Sequence, residues 1–271
     1  MKIFNNKHKL QKEIKDEKNI SFIPTMGGLH KGHISLIKKS KNYKGKCLVT
    51  IFVNPKQFNN KKDFNKYPRT LKRDLKILLK LKVNYIYLPK INDVYSFKTN
   101  NKVYLDNFSK KLCGKFRKGH FEGVLDVVNR LLEITKPKYM FLGIKDYQQL
   151  HLIKKHIERR KIKTQIIPCI TVREENGVAC STRNKNLNQK YLVIASNVYW
   201  FLNKKKKIIN KNLKFFDSSS FKSNLIKLGV TKIDYISLLN VKTMKKPNKK
   251  KEKFKIFIAY YLNKVRLIDN I

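Results

Sequence analysis

The chain has 271 residues, 41% of them hydrophobic, which suits about two domains with ordinary cores and argues against disorder. No apolar run approaches the ~18 residues that a membrane helix needs, and residues 1–18 lack the apolar stretch of a signal peptide, so a cytoplasmic protein with no membrane partner is expected. Sixty-three basic against 18 acidic residues give a net charge of +45, yet lysine, asparagine, isoleucine, phenylalanine and tyrosine all have A/T-rich codons and no RNA- or DNA-binding motif accompanies them; compositional drift is the reading, with no specific nucleic-acid partner.

In chain order, residues 19–26 ("NISFIPTM") read as a buried strand ending at Pro24-Thr25. A helix follows over 33–43, with Ile34, Leu36 and Ile37 apolar and lysines outward. "CLVTIFVN" (47–54) is almost continuously apolar, as in a parallel strand covered on both faces. Residues 54–68 form a polar, proline-bounded loop, and a helix begins at Thr70 with Leu71, Leu75, Leu78 and Leu79 at helical spacing. "NYIYLP" (84–89) is a strand. The clearest helix is 121–136, where Val124, Val127, Val128, Leu131 and Leu132 make one stripe and Pro137 ends it. Strands at 139–143 and 164–169 flank a helix over 146–160 that Asp146 is placed to cap.

This alternation predicts an α/β fold, a Rossmann-type doubly wound parallel sheet over residues 1–171. The rhythm then changes. A helix near 188–203 and strands at 235–241 and 254–262 around a lysine-rich turn predict a smaller α+β C-terminal domain over 172–271. The lysine runs at 204–207 and 249–251 read as solvated surface. Cys47, Cys113, Cys169 and Cys180 are scattered, which fits reduced thiols in or near a core. His8, His151 and His156 read as surface residues.

Ligands of open α/β sheets bind outside the carboxyl ends of the strands, so four loops bear inspection. In "MGGLHKGH" (26–33), Gly27 and Gly28 let backbone approach a ligand, and a helix opening near Gly32 offers N–H groups and a positive dipole end to phosphate. His30 and His33, three apart, can face one anion; they can donate hydrogen bonds and, if protonated, neutralise charge. Asn54 and Gln57 are amides suited to a small ligand with hydroxyls and a carboxylate. In "GIKDYQQL" (143–150), Lys145 can meet a phosphate and Asp146 either accepts from a ribose or caps a helix. Ser181, Thr182 and Arg183 suit a flexible clamp on a triphosphate, or an exposed polar turn. Arg117 and His120 fit a substrate role and a structural role equally.

The stretches "PTMGGLHKGH", "FVNPKQF", "YPRTLKRD", "CGKFRKGHFEGV", "GIKDYQQL", "TVREENGVACSTRN" and the ending "VRLIDNI" run in the order found in the pantothenate synthetases (pantoate–β-alanine ligases), and from about Phe22 onward the chain resembles that family. The resemblance implies a homodimer with a C-terminal lid. It implies that pantoate and Mg2+-bound ATP form a pantoyl adenylate and diphosphate, which β-alanine converts to pantothenate and AMP. It places ATP on Met26, Gly27, Gly28, Leu29, His30, Lys31, Gly32 and His33, with His33 and His30 catalytic. Further ATP contacts fall on Gly143, Ile144, Lys145, Asp146, Val172 (through its backbone), Cys180, Ser181, Thr182 and Arg183. Pantoate falls on Gln57 and Gln149, and β-alanine on Gln57. Metal ligands are not assigned, Asp74 being one candidate. Gly28, Lys31, Ile144 and the Cys180-Ser181-Thr182-Arg183 run depart from the residues usual there, without removing a group the chemistry requires.

Overall fold

The structure, a computed structural model, describes residues 1–248 and 252–271, so the lysine run at 249–251 lies outside the described residues. The chain divides into two units, Met1–Ile170 and Thr171–Ile271.

The first unit contains β1 (Lys2–Phe4), α1 (Lys7–Glu13), β2 (Ile20–Thr25), α2 (Lys31–Ser40), β3 (Lys46–Ile51), α3 (Lys61–Lys66), α4 (Leu71–Lys80) and β4 (Tyr85–Tyr87). It continues through α5 (Ile91–Tyr95), α6 (Cys113–Phe116), α7 (His120–Thr135), β5 (Tyr139–Gly143), α8 (Tyr147–Arg159) and β6 (Gln165–Cys169). The six strands form one parallel sheet in the order β1-β4-β3-β2-β5-β6. Phe22, Ile23, Leu48 and Val49 of the two central strands have no exposed surface, which is what their mostly apolar sequences suggest for strands covered on both faces. One face packs Ile23, Val49, Ile86 and Phe141 against Leu36 and Ile37 of α2 and Leu78 of α4.

The second unit contains α9 (Gln189–Lys211), α10 (Ser218–Lys227) and an antiparallel sheet of β7 (Lys232–Asn240), β8 (Phe254–Leu262) and β9 (Val265–Asn270) in that order. Its core joins Ala195, Val198, Leu202 and Ile209 of α9 to Ile256, Ile258 and Leu262 of β8. Both units thus have the α/β and smaller α+β character predicted. Among the described residues no helix is long and apolar enough to cross a membrane.

Several local expectations change. The helix assigned to 33–43 begins at Lys31, because His30 is its N-cap, and ends at Ser40. The strand assigned to 47–54 stops at Ile51; Asn54 caps a 3-10 turn over Pro55–Gln57 instead. The loop 54–68 holds α3, capped by Asn60. The helix placed at 188–203 runs on to Lys211 and carries the lysines of 204–207, because buried Leu202 and Ile209 continue its apolar face. Leu71 and Leu79 are exposed, since Asp74 and Leu78 hold the inner face of α4. His156 is wholly buried: its Nδ1 accepts from the Tyr104 N–H at 3.2 Å and its Nε2 pairs with Asn129 Oδ1 at 3.1 Å. Burial, with Arg160 nearby, lowers its pKa to about 4. All four cysteines are buried thiols, none in a disulfide.

Candidate active site

Strand order reverses at β2, with β3 on one side and β5 on the other. A crevice therefore opens beyond the carboxyl ends of β2 and β5, where open α/β sheets bind ligands. The stretch 26–33 leaves β2 at this point and 143–146 closes β5, so topology brings both to one mouth.

The turn after β2 is fixed from beneath. Gly27 and Gly28 have φ of 79° and 64°, the left-handed region that favours glycine. Asp74, 1% exposed, accepts from the Gly28 N–H at 2.8 Å through Oδ2 and from the Leu29 N–H at 2.9 Å through Oδ1. The Thr70 hydroxyl lies 3.2 Å from both oxygens. A Cβ on Gly27 would come within 3.1 Å of the same carboxylate. Both oxygens of Asp74, the metal-ligand candidate, are thus engaged in holding the turn.

The two histidines cap α2 reciprocally. His30 Nδ1 accepts from the Gly32 N–H at 3.1 Å, and His33 Nδ1 accepts from the His30 N–H at 3.4 Å. An imidazole nitrogen that accepts a hydrogen bond carries no proton, so each ring holds its proton on Nε2. The ring centroids are 4.1 Å apart. Burial, then the neighbouring His30, pushes the His33 pKa down to about 3; Asp146 opposes the shift and Lys145 adds to it. His33 is neutral at pH 7. Of the two uses open to the ring, hydrogen-bond donation and, if protonated, charge neutralisation, this shift favours the neutral N–H donor.

At the end of β3, Asn54 is buried and its amide is used internally. Its Nδ2 donates to Gly123 O at 3.0 Å and Gln57 Oε1 at 3.3 Å, and its Oδ1 accepts from Tyr95 Oη at 2.8 Å. Asn54 is a positioning residue rather than a ligand contact. Gln57 is half-buried, with Nε2 donating to Met26 Sδ at 2.8 Å, which joins it to the turn after β2. The Gln57 carbonyl accepts from His120 Nδ1 at 2.7 Å and from Arg117 Nη2 at 3.4 Å. Arg117 Nη1 in turn lies 3.0 Å from His120 Nε2. Helix α7 can approach this loop because Gly123 has no side chain: a Cβ there would sit 2.1 Å from Lys56 O.

At the end of β5, Asp146 occupies the N-cap position of α8 but makes no capping hydrogen bond; it pairs with Lys145 Nζ at 3.4 Å. The helix-cap reading of its side chain is not met. The adjacent glutamines divide sharply. Gln148 is buried, accepting from Cys113 N–H at 3.0 Å and donating to Phe108 O and Lys111 O at 2.9 and 2.8 Å. Gln149 is half-buried with no side-chain hydrogen bond among the described residues, so its amide is available.

Val172 and Cys180–Arg183 lie in the C-terminal unit. The Val172 carbonyl accepts from the Cys180 N–H at 2.9 Å, closing a short hairpin. Cys180 is buried with its thiol 3.1 Å from Glu174 Oε1, and Thr182 is buried too. Ser181 Oγ caps a 3-10 turn over Thr182–Asn186 by accepting from the Arg183 N–H at 3.2 Å. The stretch expected to act as a clamp is therefore a capped turn rather than an open loop, with Ser181 and Arg183 half-exposed. Among the described residues no group of three or more His, Cys, Asp or Glu is arranged to hold a metal ion. Sequence reasoning missed Asp74 as the anchor of the glycine turn, although an acid inside a leucine stripe was the available signal.

The profile of the family described as pantoate-beta-alanine ligase matches residues 2–271. A pantothenate synthetase of Fervidobacterium nodosum is 38% identical over 273 residues, covering 98% of this chain and 96% of its own length. One from Francisella tularensis subsp. novicida is 40% identical over 267 residues, covering 97% and 93%. Among solved structures, the Francisella tularensis pantoate-beta-alanine ligase complexed with beta-gamma ATP and beta-alanine superposes with a TM-score of 0.82 at 38% identity, covering 100% and 97%. The pantothenate synthetase of Thermus thermophilus gives 0.92 at 26% identity, covering 100% and 99%.

Proposed function

The chain belongs to the pantoate–beta-alanine ligase family, and on that premise we propose how its residues divide the work. The enzyme ligates pantoate to β-alanine through an amide bond with ATP as co-substrate. A carboxylate is a poor acylating agent at neutral pH, so the first step makes a mixed anhydride. The pantoate carboxylate oxygen attacks the α-phosphorus of ATP, and the bond to the bridging oxygen breaks as diphosphate leaves. In the second step the β-alanine amine attacks the acyl carbon, AMP leaves, and the amine nitrogen gives up a proton.

In the first step negative charge grows on the phosphoryl oxygens and the departing diphosphate. Preorganised donors aimed at those atoms are the largest lever a site has. The His33 Nε2–H, the His30 ring and the first N–H groups of α2 are the donors assigned to the phosphates. A His33 pKa of about 3 in the ligand-free protein excludes a standing proton donor at neutral pH; hydrogen-bond donation to a phosphate oxygen is its role. A bound polyphosphate would raise that pKa, since an adjacent anion favours the imidazolium. Met26–Gly32, Gly143–Asp146 and Val172 are assigned to ATP, and Cys180–Arg183 to its phosphates, with Ser181 and Arg183 as the contacting side chains. Gln57 and Gln149 are assigned to pantoate and Gln57 also to β-alanine.

Mg2+ enters in this reading as part of MgATP, coordinated by phosphate oxygens; the described residues offer no dedicated cage. A cytoplasmic homodimer is the proposed setting. The observation that carries the assignment is the reciprocal capping of His30 and His33 at the switch point of the sheet, which leaves both protons on Nε2. The test is incubation with ATP, pantoate and β-alanine: AMP should form only when both acids are present. AMP formation independent of either acid, or none at all, would overturn the reading.

A further inference from the structure

Two charged residues in stretches of the family resemblance have no part in that division of work: Arg173 in "TVRE" (171–174), where the 172–180 hairpin begins, and Asp269 in the closing "VRLIDNI". The C-terminal unit joins them. Arg173 meets Asp269 of β9 as a fork, Nη1 to Oδ2 at 2.7 Å and Nη2 to Oδ1 at 3.0 Å. Its Nη1 also donates to Gly177 O at 3.0 Å, and the guanidinium stacks 4.3 Å from the centre of the Tyr199 ring on α9. The side chains of the pair are 19% and 10% exposed. Gly177, at φ 85°, packs so closely that a Cβ would fall 2.1 Å from Tyr199 Cδ1.

This hairpin needs such fastening. Among the described residues its only strand pairing is an isolated bridge between Arg173 and Ala179, with hydrogen bonds from Glu174 N to Val178 O and from Cys180 N to Val172 O, both 2.9 Å. A lone two-stranded hairpin is marginal in water. Its last residue leads directly into Ser181, and Asn184 Nδ2 donates back to Ala179 O at 3.0 Å, which ties the following turn to the hairpin. Arg183 therefore hangs from a chain of contacts that ends on β9.

We propose that Arg173 and Asp269 are positioning residues, a latch that sets the pose of the Ser181–Arg183 turn for the β- and γ-phosphates of ATP. The inference rests on the assignment of that turn to the triphosphate. It has a step-specific consequence. Adenylation needs the turn because the diphosphate is still attached, whereas the pantoyl adenylate carries only one phosphate. Small misplacement of a charge-stabilising group costs rate steeply. An ordinary exposed ion pair would not matter this much, but this one is bidentate, stacked and largely covered.

The test compares the two half-reactions in the full chain carrying Arg173→Lys or Asp269→Asn. Lysine keeps the charge but loses the fork and the flat stack. Pantoate-dependent ATP–pyrophosphate exchange should fall about tenfold or more, while β-alanine-dependent consumption of supplied pantoyl adenylate stays within about twofold. The double variant should be little worse than either single one. Equal loss in both half-reactions, tracking the folded fraction by circular dichroism, would overturn the latch, as would unchanged exchange. If Arg173→Lys does not fold, Asp269→Asn decides by the same criteria. Arg183→Ala separates the two layers: unchanged exchange there sinks the assignment of the turn itself, whereas a loss there with none in the latch variants sinks the latch alone.

Discussion

In the proposed reading, the turn after β2 and the turn after the 172–180 hairpin both offer donors to phosphate, by opposite means. In the first, the donors are an imidazole held neutral, its capping partner and backbone N–H groups, and every position is set by hydrogen bonds to the main chain: the Asp74 carboxylate grips the Gly28 and Leu29 amides, and two main-chain N–H groups orient the rings. In the second, the donor is a permanent cation on a short turn, and its placement is delegated to a side-chain fork several residues away. Donors fixed by backbone need no charge to act, because they require no reorganisation when charge develops. A guanidinium brings charge and reach but must be moored. The difference predicts which substitutions damage chemistry and which damage placement.

The sharpest break would come at the first turn. His33→Ala should lower turnover by about 10²–10³-fold, as for loss of one transition-state donor, with far-ultraviolet circular dichroism unchanged. Turnover near the parent's would remove the ring from the mechanism. Asp74→Ala tests whether the turn is held from beneath. It orphans two buried N–H groups and should cost about 3 kcal/mol of stability, read from the denaturant midpoint, with a raised KM for ATP. An unchanged midpoint would mean that the glycines hold the turn unaided. A third loop serves as the contrast to both anion sites. Gln57→Ala should raise KM for pantoate about tenfold, the weight of one to two lost hydrogen bonds, with KM for ATP unaltered. Gly123→Ala should reproduce that pattern, since its Cβ would displace the backbone beside Gln57. A raised KM for ATP in either variant would blur the division of labour.

The smallest effect is in pH. His156 titrates near 6.5 when unfolded and near 4 in the fold. Between those values the unfolded chain binds more protons, so stability falls as pH drops from 6.5 toward 4, and His33 pulls the same way. At pH 5 His156 should account for about 2 kcal/mol of lost stability. His156→Gln should flatten the slope between pH 7 and 5; a slope that persists unchanged would show that other groups cause it.

Much of the first unit was legible because its chemistry is written in runs. Mostly apolar strands such as 20–25 and 46–51 suit cover on both faces, and alternation with helices then points to the switch point where H-x-G-H sits. What escaped detection had weak or misleading local signals. The three-residue β1 at the sheet edge exposes Ile3 and shows no pattern. Asp74 has the local look of surface charge on a helix and is its most structural residue. His156 has the local look of a solvent-facing residue, yet Asn129 and the Tyr104 N–H satisfy both its nitrogens, a pairing 27 and 52 residues distant that no local window can see. In the second unit, α10 and β9 were missed, and the lysines of 204–207 hid the continuation of α9 because their charges mask the buried Leu202 and Ile209 on the opposite face. The sequence singles out candidate residues but not which of them are tied into the surrounding fold, as the buried Asn54 and Cys180 illustrate.

The central claim is that a neutral His33, protonated on Nε2, meets the phosphates of ATP beside His30 at the mouth of α2. Nitrogen NMR of ¹⁵N-histidine-labelled protein tests it directly. In the ligand-free protein at pH 6, His33 should show the Nε2–H tautomer, and a non-hydrolysable ATP analogue should move its Nε2–H resonance downfield and perturb the His30 ring resonances. A doubly protonated His33 at that pH, or resonances indifferent to the nucleotide, would contradict it.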